Sequence, residues 1–96
     1  MLEAQRLREQ ILPMLLPCGI KQIAVFGSTV RNEERPDSDL DLLVSFKHSV
    51  GLFAIARLRR QLSEILAQPV DLVTRDALSP YILQSVEEDK VIIYEE

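Results

Sequence analysis

The 96-residue sequence has one cysteine, one histidine and no long apolar run, and so has few of the features that build disulfides, histidine-based sites or membrane spans. A single cysteine, Cys18, cannot form an internal disulfide, and this predicts a protein of the reducing cytoplasm. No apolar run approaches the roughly 18 residues that cross a bilayer, so we expect no membrane association. The only histidine, His48, lies in a Lys-Ser-Gly loop, and we expect an exposed side chain rather than a base or a metal ligand.

Basic charge is also scarce, with 11 basic residues against 15 acidic ones and a net charge of −4. Proteins that hold a nucleic-acid backbone do so through basic patches, so direct nucleic-acid binding is not expected here. Apolar residues make up 47% of the chain, which is enough to bury a core. Without repeats or a low-complexity linker, the sequence predicts one domain over residues 1–96.

Apolar periodicity predicts an α+β fold. We expect helices over Leu2–Leu16 and Leu52–Ala67 and after an N-cap at Ser79, and strands over Lys21–Phe26, Leu40–Phe46, Val70–Val73 and Val91–Tyr94. Pro13 should end or kink the first helix near Leu12. The second helix should bury a stripe of Leu52, Ile55, Leu58, Leu62, Ile65 and Leu66. An antiparallel link between the first two strands predicts a small mixed β-sheet, with helices packed on one face and the last strand at an edge.

Two aspartates, Asp39 and Asp41, open the second predicted strand. Residues i and i+2 of a strand project from the same face, so both carboxylates should lie opposite to the apolar residues between and after them. Two ionised carboxylates side by side repel each other. A hard divalent cation with oxygen ligands, such as Mg²⁺, would offset this repulsion.

The Gly27–Ser28 pair ends the first predicted strand. Glycine allows a ligand to approach the backbone closely, and a serine at a helix start offers its hydroxyl and amide N–H groups to an anion. We expect a short helix from Ser28 to about Arg31. A phosphate-binding turn that faces a carboxylate pair is the arrangement needed to move a phosphoryl-type group.

These two motifs stand at a characteristic distance: Gly27-Ser28, ten intervening residues, and then Asp39-Leu40-Asp41. This pattern resembles the signature of the DNA polymerase β-like nucleotidyltransferase superfamily. The runs Val25–Ser28 and Pro36–Val44 are most similar to its minimal nucleotidyltransferase (MNT) branch. The resemblance extends from about Ile20 to Tyr94 and places Asp71 where the family carries a third carboxylate.

The resemblance implies a polymerase β-like nucleotidyltransferase fold with two Mg²⁺ ions held by Asp39, Asp41 and Asp71. It further implies that Asp71 helps to deprotonate the attacking hydroxyl and that Gly27 and Ser28 bind the phosphates of ATP. Arg31 matches a family arginine that steadies the triphosphate, although pairing with a neighbouring glutamate is an equal alternative. Asn32 departs from the glycine that the family carries at this point.

The resemblance also implies an acceptor. In the MNT branch the usual companion is a HEPN-domain ribonuclease toxin, and some MNT antitoxins adenylylate a tyrosine of that toxin. We therefore expect a protein adenylyltransferase that forms a hetero-oligomer with a HEPN partner. The alternative is a non-catalytic antitoxin that neutralises its partner by stoichiometric binding. A metal phosphohydrolase is a third and weaker hypothesis, because it has no evident need for Gly-Ser at this spacing.

Overall fold

The computed structural model describes residues 4–27 and 40–96, and it confirms the α+β class. The elements in chain order are helix α1 Ala4–Leu15, strand β1 Ile20–Phe26, strand β2 Leu40–Phe46, helix α2 Leu52–Leu66, strand β3 Val70–Thr74, helix α3 Pro80–Asp89 and strand β4 Val91–Glu95. Among the residues described, no helix is both long and apolar enough to cross a bilayer.

The four described strands form one mixed sheet in the order β3-β2-β1-β4. Strand β1 is antiparallel to both of its neighbours, as predicted for β2, and β4 lies at an edge as expected. Strands β2 and β3 are parallel, because α2 returns the chain from the end of β2 to the start of β3. The C-terminal end of β1 and the N-terminal ends of β2 and β3 consequently lie side by side, at the same end of the strands.

The main core lies between one face of the sheet and the two longer helices. Alternate strand residues supply it, and they meet the buried side of α1 and of α2. Its fully buried members include Ile11 and Leu15 from α1, Ile23 and Val25 from β1, Leu42 and Val44 from β2, and Leu62 from α2. This agrees with the predicted packing of helices on one face.

Helix α3 departs from that arrangement, because it contacts the opposite face. Its buried residue Val86 packs with Ala24 and Leu43, the strand residues that point away from the main core. These two positions are apolar as well, so leaving them in water would cost free energy. Ser79 is the N-cap of this helix as predicted, and its Oγ accepts a hydrogen bond from the Ile82 N–H at 3.4 Å.

Two details of the longer helices differ from the sequence-based expectation. In α2, Leu52 is 88% exposed, because six helical steps of about 100° each place it about 120° away from the buried Leu58. Ile65, which is also expected to be buried, is 45% exposed. In α1, the helix continues past Pro13 to Leu15. Pro13 is exposed, and the burial of Leu15 against the sheet offsets the lost N–H donor.

A polar cluster joins α3 to its surroundings. Lys90 Nζ lies 2.7 Å from Glu87 Oε2 and 3.1 Å from Gln22 Oε1 on β1, and Arg75 Nη2 lies 3.2 Å from Glu87 Oε1. The Lys90 side chain is only 9% exposed, so its charge needs these partners. The hydrogen bond from Lys90 lowers the pKa of the Glu87 carboxyl below its usual value.

Candidate active site

Asp41 and Asp71 meet at the start of the parallel strand pair. They are directly paired in the register of β2 and β3, and residues so paired project from the same face. The neighbouring positions Leu40 and Leu42 are buried in the main core. Both aspartates therefore lie on the face turned away from α1 and α2, as the alternation of β2 predicts for Asp41.

Gly27 brings the backbone at the end of β1 against one of these carboxylates. The last residue of β1, Phe26, is paired with Asp41, and Gly27 follows it with a φ of +77°. A Cβ built on Gly27 would overlap the Asp41 carboxylate and would lie 3.1 Å from its Cγ. Glycine is thus favoured twice here, by the backbone conformation and by the space that the carboxylate occupies.

An apolar wall borders this site on the same face. Phe26 shares the register of Asp41 and packs against the cluster of Ala24, Leu43 and Val86. The sequence predicts Phe26 only as a strand residue. Its position directly before Gly27 could have indicated a role at the site, because the last residue of β1 shares a sheet face with the residue paired to it on β2, which is Asp41.

Three of the six residues predicted for the site are therefore brought together, namely Gly27, Asp41 and Asp71. The other three, Ser28, Arg31 and Asp39, lie outside the described residues, and so does the short helix expected over Ser28–Arg31. Within residues 4–27 and 40–96, no group of three His, Cys, Asp or Glu side chains could hold a metal ion. The described part of the site thus contributes two carboxylates, those of Asp41 and Asp71, which are paired across β2 and β3.

His48 is not part of this arrangement. It is exposed in the loop after β2, where a Cβ on Gly19 would lie 3.3 Å from its Cδ2 atom. With Ser45 and Thr74 it lines a cleft of about 160 Å³ at the opposite ends of β2 and β3. The expectation of an exposed histidine is confirmed.

The sequence matches the nucleotidyltransferase domain family over residues 5–93. The chain belongs to that family. The protein adenylyltransferase MntA of Thermococcus cleftensis is 37% identical to this nucleotidyltransferase over 75 residues, which cover 78% of this chain and 76% of the relative. The prediction of a nucleotidyltransferase enzyme is confirmed.

Solved structures of toxin–antitoxin complexes share the fold of this nucleotidyltransferase. A complex with AMP-PNP matches with a TM-score of 0.84 and 23% identity over 93% of this chain and 73% of the other. The complex of the tri-AMPylated Shewanella oneidensis HEPN toxin with an MNT antitoxin matches with a TM-score of 0.78 and 22% identity, over 98% and 74%. A solved structure of a minimal nucleotidyltransferase matches with a TM-score of 0.78 and 35% identity over 94% of this chain and 95% of the other. With the relative MntA, this match confirms the predicted resemblance to the MNT branch.

Proposed function

We propose that this nucleotidyltransferase moves AMP from ATP to a hydroxyl group of a partner protein and that the reaction depends on Mg²⁺. The observation that carries the proposal is the contact of Gly27 with the Asp41 carboxylate beside Asp71. This contact places the backbone of Gly27, which a phosphate can approach closely, beside two carboxylates that can hold a cation. The relative MntA carries the name of protein adenylyltransferase, and one fold neighbour contains AMP-PNP.

The donor groups of the site fit Mg²⁺. Asp41 and Asp71 offer carboxylate oxygens from adjacent strands, and Mg²⁺ is bound in proteins by a few carboxylates together with water and substrate phosphates. We propose that Asp39 completes this set and that the three aspartates hold two Mg²⁺ ions. When bound, the ions would polarise the phosphoryl oxygens and stabilise the negative charge that grows during transfer.

The protein groups then have separate parts in the reaction. Gly27 and Ser28 bind the phosphates, with Arg31 as a further contact to the triphosphate. The acceptor oxygen forms a bond to the α-phosphorus, the bond from that phosphorus to the oxygen bridging to the β-phosphate breaks, and pyrophosphate leaves. The Asp71 carboxylate takes the proton of the acceptor hydroxyl.

We propose a HEPN-domain toxin as the acceptor protein and a hetero-oligomer with it as the working form. The support is the fold shared with an MNT antitoxin whose complex contains an AMPylated HEPN toxin. The chain itself carries a net charge of −4, which does not favour a nucleic-acid acceptor.

The test is label transfer in a lysate of the native host, with Mg²⁺ and ATP labelled at either the α- or the γ-phosphate. We expect α-label on one protein, no γ-label, and no transfer by Asp41→Asn. Loss of a cation ligand removes several kcal/mol of transition-state stabilisation, or about a thousandfold in rate. Asp76→Asn is the matched control, because Asp76 is exposed in the turn after β3, at the other end of the strand from Asp71.

Each other outcome would overturn part of the proposal. Transfer of γ-label would indicate a kinase-like reaction. Full activity of Asp41→Asn would show that the Asp41 carboxylate is not needed for nucleotide transfer. Absence of both labels while a partner still co-purifies would favour neutralisation by stoichiometric binding instead of catalysis.

A further inference from the structure

The outer face of α2 carries two large apolar side chains that the fold leaves in water. Leu52 and Phe53 are 88% and 91% exposed, whereas Leu58 and Leu62 of the same helix are buried in the core. Phe53 lies on the side of the helix opposite to Leu62, since nine residues at about 100° each separate them by half a turn. Packing within the described chain therefore gives no reason for a phenylalanine at this position.

Arginines continue this surface along the helix. Arg57 lies four residues after Phe53, and Arg60 lies three residues after Arg57, so these three side chains are neighbours on the helix surface. Arg59 is exposed in line with Leu52, seven residues after it. No ion pair found among the described residues involves these three side chains. We call Leu52, Phe53, Arg57, Arg59 and Arg60 the α2 surface.

The charge of the α2 surface is opposite to that of the chain. The helix carries three arginines against one glutamate, Glu64, while the whole chain has a net charge of −4. Aromatic and arginine side chains are enriched at the centres of protein interfaces, where lysine is depleted, and α2 contains no lysine. A nucleic acid fits less well, because a phosphate backbone is held by a broader basic surface.

The α2 surface lies on the back of the active site. Leu58 and Leu62 pack on the sheet face that contains Leu42, and Asp41 projects from the other face. A protein bound to α2 would therefore leave the carboxylates open to nucleotide. Binding of the partner and transfer of the nucleotide are then separable properties of this chain.

We propose that the α2 surface is the docking site for the partner protein, through an acidic partner surface with an apolar depression that receives Phe53. The proposal rests on the proposed function only in taking the docked partner to be the acceptor. Acidic side chains around the depression would pair with Arg57 and Arg60, and burial of Phe53 and Leu52 would remove apolar area from water.

The experiment replaces Phe53 with the photocrosslinking residue benzoylphenylalanine in the full chain, expressed in its native host. Tyr81 is the matched control position, because it is 87% exposed in the first turn of α3. We expect position 53 to give one protein adduct that position 81 does not give. The crosslinked protein is then identified by mass spectrometry and purified, and its affinity for the unsubstituted chain is measured.

Charge reversal and conservative exchange then test the arginines. Arg57→Glu with Arg60→Glu should weaken binding of the purified partner about a hundredfold, whereas Arg57→Lys with Arg60→Lys should weaken it less than about tenfold. Unfolding in urea checks that both double variants fold. An equal affinity for the reversed variant, no adduct at position 53, an adduct with nucleic acid, or an adduct with a second copy of this chain would each overturn the proposal.

The same experiment separates this proposal from the proposed function. Asp41→Asn should lose label transfer and keep the adduct at position 53, because Asp41 lies on the other face of the sheet. An adduct without label transfer by the unsubstituted chain would leave docking in place and end the adenylylation hypothesis. Label transfer that is unaffected by charge reversal would keep the adenylylation hypothesis and exclude docking of the acceptor on the α2 surface.

Discussion

The two faces of the sheet use the same strands for different purposes. The face toward α1 and α2 is apolar, and Val25 and Leu42 on it are fully buried. The other face has a small apolar cluster around Leu43 and, at one edge, the carboxylates of Asp41 and Asp71. Neighbouring residues of one strand therefore belong to surfaces of opposite character.

This difference assigns stability mainly to one face and chemistry to the other. Carboxylates buried in the main core would pay a large desolvation cost, whereas Asp41 and Asp71 on the second face are only half-buried. Period-two alternation is enough to keep the two requirements apart along a single strand. Substitutions on the two faces should accordingly have different consequences.

The largest expected effect on stability is that of Leu62→Ala in the main core. Leu62 is fully buried, and truncation of such a leucine lowers the free energy of unfolding by about 2–5 kcal/mol. Val86→Ala on the other face should cost about 1.5 kcal/mol, because it removes two methyl groups from a smaller cluster. Urea unfolding followed by circular dichroism measures both values.

Label transfer per folded molecule sharpens this comparison. Leu62→Ala should leave it unchanged, since the side chain lies behind the sheet from the carboxylates. Equal losses of stability for the two variants would contradict the assignment of the main core to the α1 and α2 face.

The next effect is that of Gly27→Ala, which adds a methyl group where the Asp41 carboxylate lies. The positive φ costs about 1–2 kcal/mol for a residue with a Cβ, and displacement of Asp41 should lower label transfer about tenfold or more. Gly51→Ala is the control, because nothing lies within 4 Å of a Cβ there and its φ is −69°.

Unfolding in urea and label transfer are measured for both glycine variants. The control should lower the free energy of unfolding by about 1 kcal/mol or less, because alanine is a poorer N-cap than glycine at the start of α2. Unchanged transfer by Gly27→Ala would show that the contact with Asp41 is not needed for activity.

The smallest effect concerns acid stability and the polar cluster of α3. Because Lys90 lowers the pKa of Glu87 in the folded state, the unfolded state binds more protons as the pH falls, and folding loses stability. The contribution is complete above the usual glutamate pKa of about 4.3 and is lost as the pH falls through the lower folded value. Glu87→Gln should flatten this loss.

Urea unfolding between about pH 6 and about pH 3 measures this dependence. Glu88→Gln is the control, because Glu88 is exposed on the same helix and takes part in none of the ion pairs found among the described residues. An identical pH dependence for both variants would exclude a stabilising role of the pair of Glu87 with Lys90.

Local patterns were sufficient to predict much of the fold. Period-two alternation identified β2 and the face of Asp41, and the Ser79-Pro80 pair identified the start of α3. The local pattern wrongly predicts a buried Leu52, and the end of α1 that it allows near Leu12 is not found, because the exact helical phase and the burial of Leu15 depend on how the helices pack on the sheet. It also placed all helices on one face, since no local pattern records which face α3 covers.

The sequence by itself determined the strands and helices, the α+β class and the family, because periodicity and the spacing of Gly27-Ser28 from Asp39 and Asp41 are local properties of the chain. Only the tertiary structure decided that Asp71 stands beside Asp41 and that Gly27 lies against the Asp41 carboxylate. These contacts join residues far apart in the chain, and their register is set by the packing of whole strands.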